Sequence, residues 1–275
     1  MSVAAPRRPE LGDLSQVASH RSIRLADGSE DGVRAVDVRV AGGIHAQVIT
    51  DRGLDLGPAW YAGQPLAWQS PTGIVHPSYF RDDVWLRSFH GGLLFTAGLQ
   101  NVGSAVTDGA EQHGLHGRIS NLPASDVHSE TIEDERGLAV RVSGTVRETT
   151  VYGVDLVLHR QLTFRVGEPV IEVDDLVENR GYLASPVFIL YHVNLGHPVV
   201  DAGSQLLSPA QLGRRLGRGI ACCRTGARRL PPAVRGGPGR GVRASPGCRR
   251  ARRGDRGHRQ SGLPSHRRHR RIADL

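Results

Sequence analysis

Residues 154–173 read VDLVLHRQLTFRVGEPVIEV, and their spacing decides the fold. Val154, Leu156 and Leu158 recur at every second position, and Leu162, Phe164 and Val166 resume the alternation. Gly167-Glu168-Pro169 then interrupts it before Ile171 and Val173. A period of two puts alternate side chains on one face of a strand, whereas a helix would return to its buried face every third or fourth residue. Upstream, Leu138, Val140 and Val142 alternate with Arg141 and Ser143; downstream, Asn179-Arg180-Gly181 precedes Val187, Ile189 and Tyr191. Nearer the start, Val36, Val38 and Val40 alternate with Asp37 and Arg39, and Gly42-Gly43 leads into Ile44 to Ile49, which reads as a hairpin. Short strands separated by Gly, Pro and Asn turns at intervals of roughly ten residues predict an all-β protein, a large antiparallel twisted β-sandwich.

The composition changes near Leu212. The 35 basic residues are all Arg and stand against 27 acids, for a net charge of +8. Residues 212–275 hold about 19 of those Arg and only Asp255 and Asp274 as acids, so the preceding body is itself acidic. Cys222, Cys223 and Cys248 all lie in this Arg/Gly/Pro-rich stretch, which leaves the body without a disulfide or a thiolate metal site. Too few apolar residues are present there to offset the entropy of ordering, so 212–275 is expected to be disordered. One reading makes it a basic arm for nucleic acid. The favoured one makes it an out-of-frame translation of a G+C-rich gene, since it has no aromatic residue to stack on bases and no Lys. The expected organisation is a flexible segment over 1–20, a sandwich domain over 21–211 that is incomplete at its C-terminal side, and the tail over 212–275.

About 210 residues suffice for one domain with a real core. The opening MSVAAPRRPELGD lacks the apolar stretch of a signal peptide, and the longest apolar run, Val187 to Tyr191, is too short to span a bilayer. A soluble cytoplasmic protein is the expectation, with its oligomeric state open. No Walker loop, nucleophile elbow or dinucleotide fingerprint occurs, and no cofactor is expected. His113 and His116 with Glu111 lack a third fixed ligand, so no metal is expected either.

Three segments concentrate polar chemistry: Asp51-Arg52-Gly53-Leu54-Asp55-Leu56, the Gly-rich run Trp85 to Gly117, and Tyr191-His192-Val193-Asn194-Leu195-Gly196-His197-Pro198. In this order, with strands between them, they resemble the aldose 1-epimerase (galactose mutarotase-like) superfamily over about residues 20–211. The elements that carry the resemblance are Arg52-Gly53-Leu54-Asp55-Leu56, Gly91-Gly92-Leu93-Leu94 through Gly98-Leu99-Gln100-Asn101, Leu115-His116-Gly117-Arg118 and His192-Val193-Asn194-Leu195-Gly196. The resemblance implies a supersandwich with a small-molecule sugar on its concave face and interconversion of sugar anomers by ring opening. It makes His116 a sugar-binding histidine and His192 the general acid, a role suited to imidazole because its ordinary pKa lies near working pH. Here the second element is shorter than the family's His-x-Tyr-Phe-Asn-Leu. The family's general base is a Glu in the C-terminal third, and this chain has no Glu after Glu178; loss of that base implies impaired turnover.

Around the two histidines, Arg52, Arg87, Asn101, Arg118 and Asn194 are the candidate substrate-binding residues. Each also has a structural reading: a turn histidine for His116, a strand histidine for His192, and surface ion pairs for the arginines. Three functions compete: an anomer-interconverting isomerase, a non-catalytic carbohydrate-binding protein, and a nucleic-acid binder acting through the tail. No specific nucleic-acid or membrane partner is expected on the favoured reading.

Overall fold

The structure is a computed structural model that describes residues 10–109 and 111–206, together with the short strand segments 228–229 and 268–272. In chain order the strands are β1 Ala18–Arg24, β2 Arg34–Val40, β3 Ile44–Ile49, β4 Asp55–Tyr61, β5 Gln64–Pro65, β6 Leu94–Leu99, β7 Val106–Asp108 and β8 Glu111–His113. There follow β9 Ser125–Asp134, β10 Gly137–Thr149, β11 Asp155–Arg165, β12 Ile171–Asn179, β13 Phe188–Val193, β14 Gln205–Leu206, β15 Arg228–Arg229 and β16 Arg268–Ile272. Only short 3-10 turns interrupt them among the described residues. One sheet runs β1-β2-β3-β4-β6-β13, with β5 paired to β4, and the second runs β16-β12-β11-β10-β9; all their pairings are antiparallel.

The alternation seen in the sequence sets the register. Val140 pairs with Phe164, Val142 with Leu162 and Val146 with Leu158 across β10 and β11, so one face of the second sheet is largely apolar, interrupted by the Gly144–Arg160 pair. Val36, Val38 and Val40 of β2 present the matching surface of the first sheet, and both sets join one buried cluster. Each such side chain contributes about 1.5–3 kcal/mol when fully buried. The β2–β3 hairpin turns at Gly42, whose φ of 65° favours glycine. Gly43 beside it is packed so closely that a Cβ would meet the Arg165 carbonyl oxygen at 2.7 Å.

A charged network crosses this apolar interior. The Arg160 guanidinium of β11, fully buried, donates two bonds to the Asp175 carboxylate of β12, at 2.9 and 2.7 Å. A third goes across the sandwich to Asp55 of β4 at 2.6 Å. Thr96 of β6 donates to both Asp55 oxygens, from its amide at 2.9 Å and its hydroxyl at 2.5 Å. The Tyr191 phenol of β13 donates to Asp175 at 2.9 Å. Burial raises the Asp55 carboxyl above its ordinary range, opposed by Arg160 and Thr96.

Within the segment expected to be flexible over 1–20, Asp13 caps a turn at Leu14–Gln16 and β1 begins at Ala18. Most of the 212–275 tail lies outside the described residues, but Arg268–Ile272 within it pairs antiparallel with β12, Val173 opposite Arg270.

Candidate functional site: a pair of imidazoles on an aromatic wall

His116 sits in the loop after β8 with φ of 60°, a left-handed conformation uncommon outside glycine. Four backbone bonds hold the segment. The His116 amide donates to the Gly103 carbonyl at 2.9 Å, and its carbonyl accepts from Gly98 at 3.0 Å. The Gly117 amide donates to Gly114 at 3.3 Å and the Arg118 amide to Gly98 at 3.0 Å. Gly117 is required here: its φ is 69°, and a Cβ would lie 2.3 Å from the Gly98 carbonyl oxygen. The Gly103 amide also donates to His116 Nδ1 at 3.2 Å, which leaves the proton of the neutral ring on Nε2. Burial, and then the neighbouring His192, lower the His116 pKa, so the ring is neutral at neutral pH.

His192 reaches the same place from β13, where it pairs with Phe95 of β6. Its ring meets that of His116 edge to face, with centroids 6.4 Å apart. Trp85 lies 4.9 Å from the His116 ring and Phe89 5.5 Å from the His192 ring, while Phe95 packs edge-on against both aromatics. His192 Nδ1 is buried without a hydrogen-bond partner among the described residues. Two imidazoles on an apolar wall form the kind of surface that orients a small ligand by a few polar contacts.

The remaining candidates separate. Arg118, half-exposed, pairs with Asp82 at 3.4 Å and lines a cavity of about 180 Å³ beside the 114–118 loop, together with Gln100, His113 and Glu148. The two imidazoles do not line that cavity. Arg87 is exposed at the end of the turn Asp82–Arg87. Arg52 corrects the sequence reading. It is fully buried and donates to the carbonyls of Ser120, Val75 and Ser88 and to Asn121 Oδ1, at 2.7 to 2.8 Å. Burial lowers its pKa to about 10, with Asp55 opposing. An Arg beside an Asp in a turn reads as a surface ion pair, but this one is buried and binds loops together through four of its five N–H donors.

Asn101 and Asn194 likewise commit their amide donors to the protein. Asn101 Nδ2 donates to the Ser104 and Gly114 carbonyls at 3.1 and 2.7 Å, which ties two loops together. Asn194 Nδ2 donates to the Gly92 and His192 carbonyls at 3.0 and 3.2 Å and so steadies the end of β13.

Glu148 was missed. It is 4% exposed at the end of β10, accepts a bond from the Leu99 amide at 2.9 Å, and burial raises its pKa to about 7. His90 was missed too. It is buried with neither ring nitrogen bonded among the described residues, and burial, with Arg52 second, holds its pKa well below the ordinary value. No group of three or more His, Cys, Asp or Glu able to hold a metal occurs among the described residues. No described helix is long and apolar enough to cross a membrane.

This strand-built sandwich shares its fold with a solved structure provisionally assigned as an aldose 1-epimerase. That structure, from Klebsiella pneumoniae subsp. pneumoniae MGH 78578, is 25% identical with a TM-score of 0.64, over 70% of this chain and 53% of that one. A galactose mutarotase-like protein from Clostridium acetobutylicum is 14% identical with a TM-score of 0.48, over 69% of this chain and 57% of that one. Galactose 1-epimerase from Lactobacillus acidophilus NCFM is 15% identical with a TM-score of 0.38, over 59% of this chain and 49% of that one. The chain thus spans about half the length of the solved structures it matches. A comparison with curated proteins gave no match. The model of the family described as Domain of unknown function (DUF4432) matches residues 30–218, well over half of the sequence, and the chain belongs to that family.

Proposed function

We propose that the protein binds a small sugar of the aldose class at the His116–His192 pair and belongs functionally with the enzymes that interconvert sugar anomers. The observation that carries this reading is the meeting of the two imidazoles, from separate segments, on the wall of Trp85, Phe89 and Phe95. Anomer interconversion removes the proton of the anomeric hydroxyl, here to solvent water in place of the family's carboxylate base, as a proton is delivered to the ring oxygen; the ring bond breaks, the aldehyde carbon turns, and closure on its other face reverses both transfers, with turnover impaired by the lack of that base. His192 supplies the acid, and the Nε2–H of His116 holds a sugar oxygen. Arg118, two residues after His116, and the exposed Arg87 are kept as candidates for contact with the sugar. Placement in the cytoplasm, and a sugar rather than nucleic acid as partner, belong to the same proposal.

The test is the full chain with freshly dissolved α-D-galactose. The expected results are ring-signal shifts of His116 and His192 by NMR on sugar addition, and faster decay of optical rotation than in buffer. His192→Ala should lower that rate roughly 10²- to 10⁴-fold, the usual weight of one acid–base group. Shifts without acceleration mark a carbohydrate-binding protein that does not turn over its ligand. Neither shift nor acceleration overturns the proposal.

A further inference from the structure

We propose that Tyr191, bonded to Asp175 across the sandwich, is a positioning residue that fixes the register of β13 and thereby turns His192 toward His116. This gives a role to the buried Asp55–Arg160–Asp175 network, and its bearing on sugar chemistry rests on the function proposed above.

The argument begins from the weakness of β13. It lies at the edge of its sheet and, among the described strands, bonds only to β6. Its sequence FILYHV is apolar on both faces: Phe188 and Leu190 share the face of His192, and Ile189 and Val193 share the face of Tyr191. A strand is held in register by the contrast between a buried apolar face and a polar one, and a slip of one residue exchanges the faces. Here such a slip would carry the His192 imidazole into the sandwich and bring an apolar side chain to His116, with little hydrophobic cost to prevent it. A polar contact that only one register satisfies supplies the missing discrimination, the best-attested use of buried polar groups.

The network has that geometry. In the observed register Tyr191 stands opposite Thr96. Thr96 bonds to Asp55, Asp55 to Arg160, Arg160 to Asp175, and Asp175 accepts the phenol, so both members of one cross-strand pair end on the same ions. The next pair along, Phe95 and His192, faces the other way and belongs to the aromatic wall. Arg160 and Asp175 also bond bidentately to each other, so the acceptor is held in place independently of β13.

The test is Tyr191→Phe in the full chain, read by NMR and amide exchange, with Ile189→Ala as a control that weakens β13 and leaves the phenol in place. In Tyr191→Phe, amides 188–193 should exchange roughly ten- to hundredfold faster, the range for losing a hydrogen bond to a charged acceptor. Exchange in β2, β3, β10 and β11 should stay as in the unaltered protein. The proton cross-relaxation between the His116 and His192 rings should disappear in Tyr191→Phe and persist in Ile189→Ala. Retention of that signal with unaltered β13 exchange in Tyr191→Phe would overturn the proposal, as would its equal loss in the two variants. If galactose moves neither ring in the unaltered protein while Tyr191→Phe still loses the ring contact, the sugar reading fails and the positioning role stands.

Discussion

The carboxylate of Glu148, on β10 of one sheet, accepts the amide hydrogen of Leu99, on β6 of the other, at 2.9 Å. The bond closes the end of the sandwich next to the Gly98 backbone that holds His116. It is made by an acid whose pKa burial has raised to about 7.

A raised carboxyl pKa means that the ionised form is disfavoured in the folded chain. Stability is therefore fully present below the unfolded value near 4.5 and is lost as pH rises through about 7. Glu148→Gln keeps an acceptor for Leu99 and removes the titration. Urea unfolding should find the variant more stable than the parent by about 1–3 kcal/mol at pH 8, with little difference at pH 4. A variant less stable than the parent at pH 8 would contradict this account.

His90 has the opposite sign. Its folded pKa is depressed by burial, so its contribution is intact above the ordinary value of 6.5 and fades as pH falls below it toward the folded value. One such group gives a slope of about 1.4 kcal/mol per pH unit in that window. His90→Leu should flatten the fall in stability between pH 6.5 and pH 5, measured by urea titrations at several pH values.

Arg52→Met separates a structural hub from a ligand contact. The substitution strands the carbonyls of Val75, Ser88 and Ser120, all bonded to the guanidinium in the parent. Loss of about 3–5 kcal/mol is expected, in line with breaking a buried charged network. A variant that melts like the parent and only binds galactose less well would return Arg52 to the ligand.

Gly117→Ala tests the histidine loop. The new Cβ meets the Gly98 carbonyl oxygen at 2.3 Å with φ at 69°, so the 114–118 loop must move. The loop's departure should remove the galactose-dependent shift of His116 and cost roughly 1–3 kcal/mol of stability. Thermal melting and NMR titration of the one variant check both.

The strands were legible because their buried faces repeat every second residue, and the facing valines, leucines and Phe164 pair as that period requires. The joint presence of His116 and His192 was legible only through family resemblance, since nothing in their spacing brings a loop and an edge strand together. Arg52 was misread because burial of a turn arginine depends on loops distant in sequence. The network held a signal that passed unused. Arg160 occupies the parity of Leu156, Leu158, Leu162 and Phe164; Asp175 that of Ile171 and Val173; Glu148 that of Val140, Val142 and Val146. A charge at a core-facing strand position needs an opposite charge or a donor nearby, and that rule alone would have marked all three.

Arg52 gathers Val75, Ser88 and the Ser120–Asn121 turn about one cation. Those stretches flank the loops that carry the aromatic wall and His116, so three irregular segments share one fixed origin. Precision in the imidazole pair is thus inherited from a side chain bonded to neither ring, and the aromatic wall can be varied while leaving that anchor untouched.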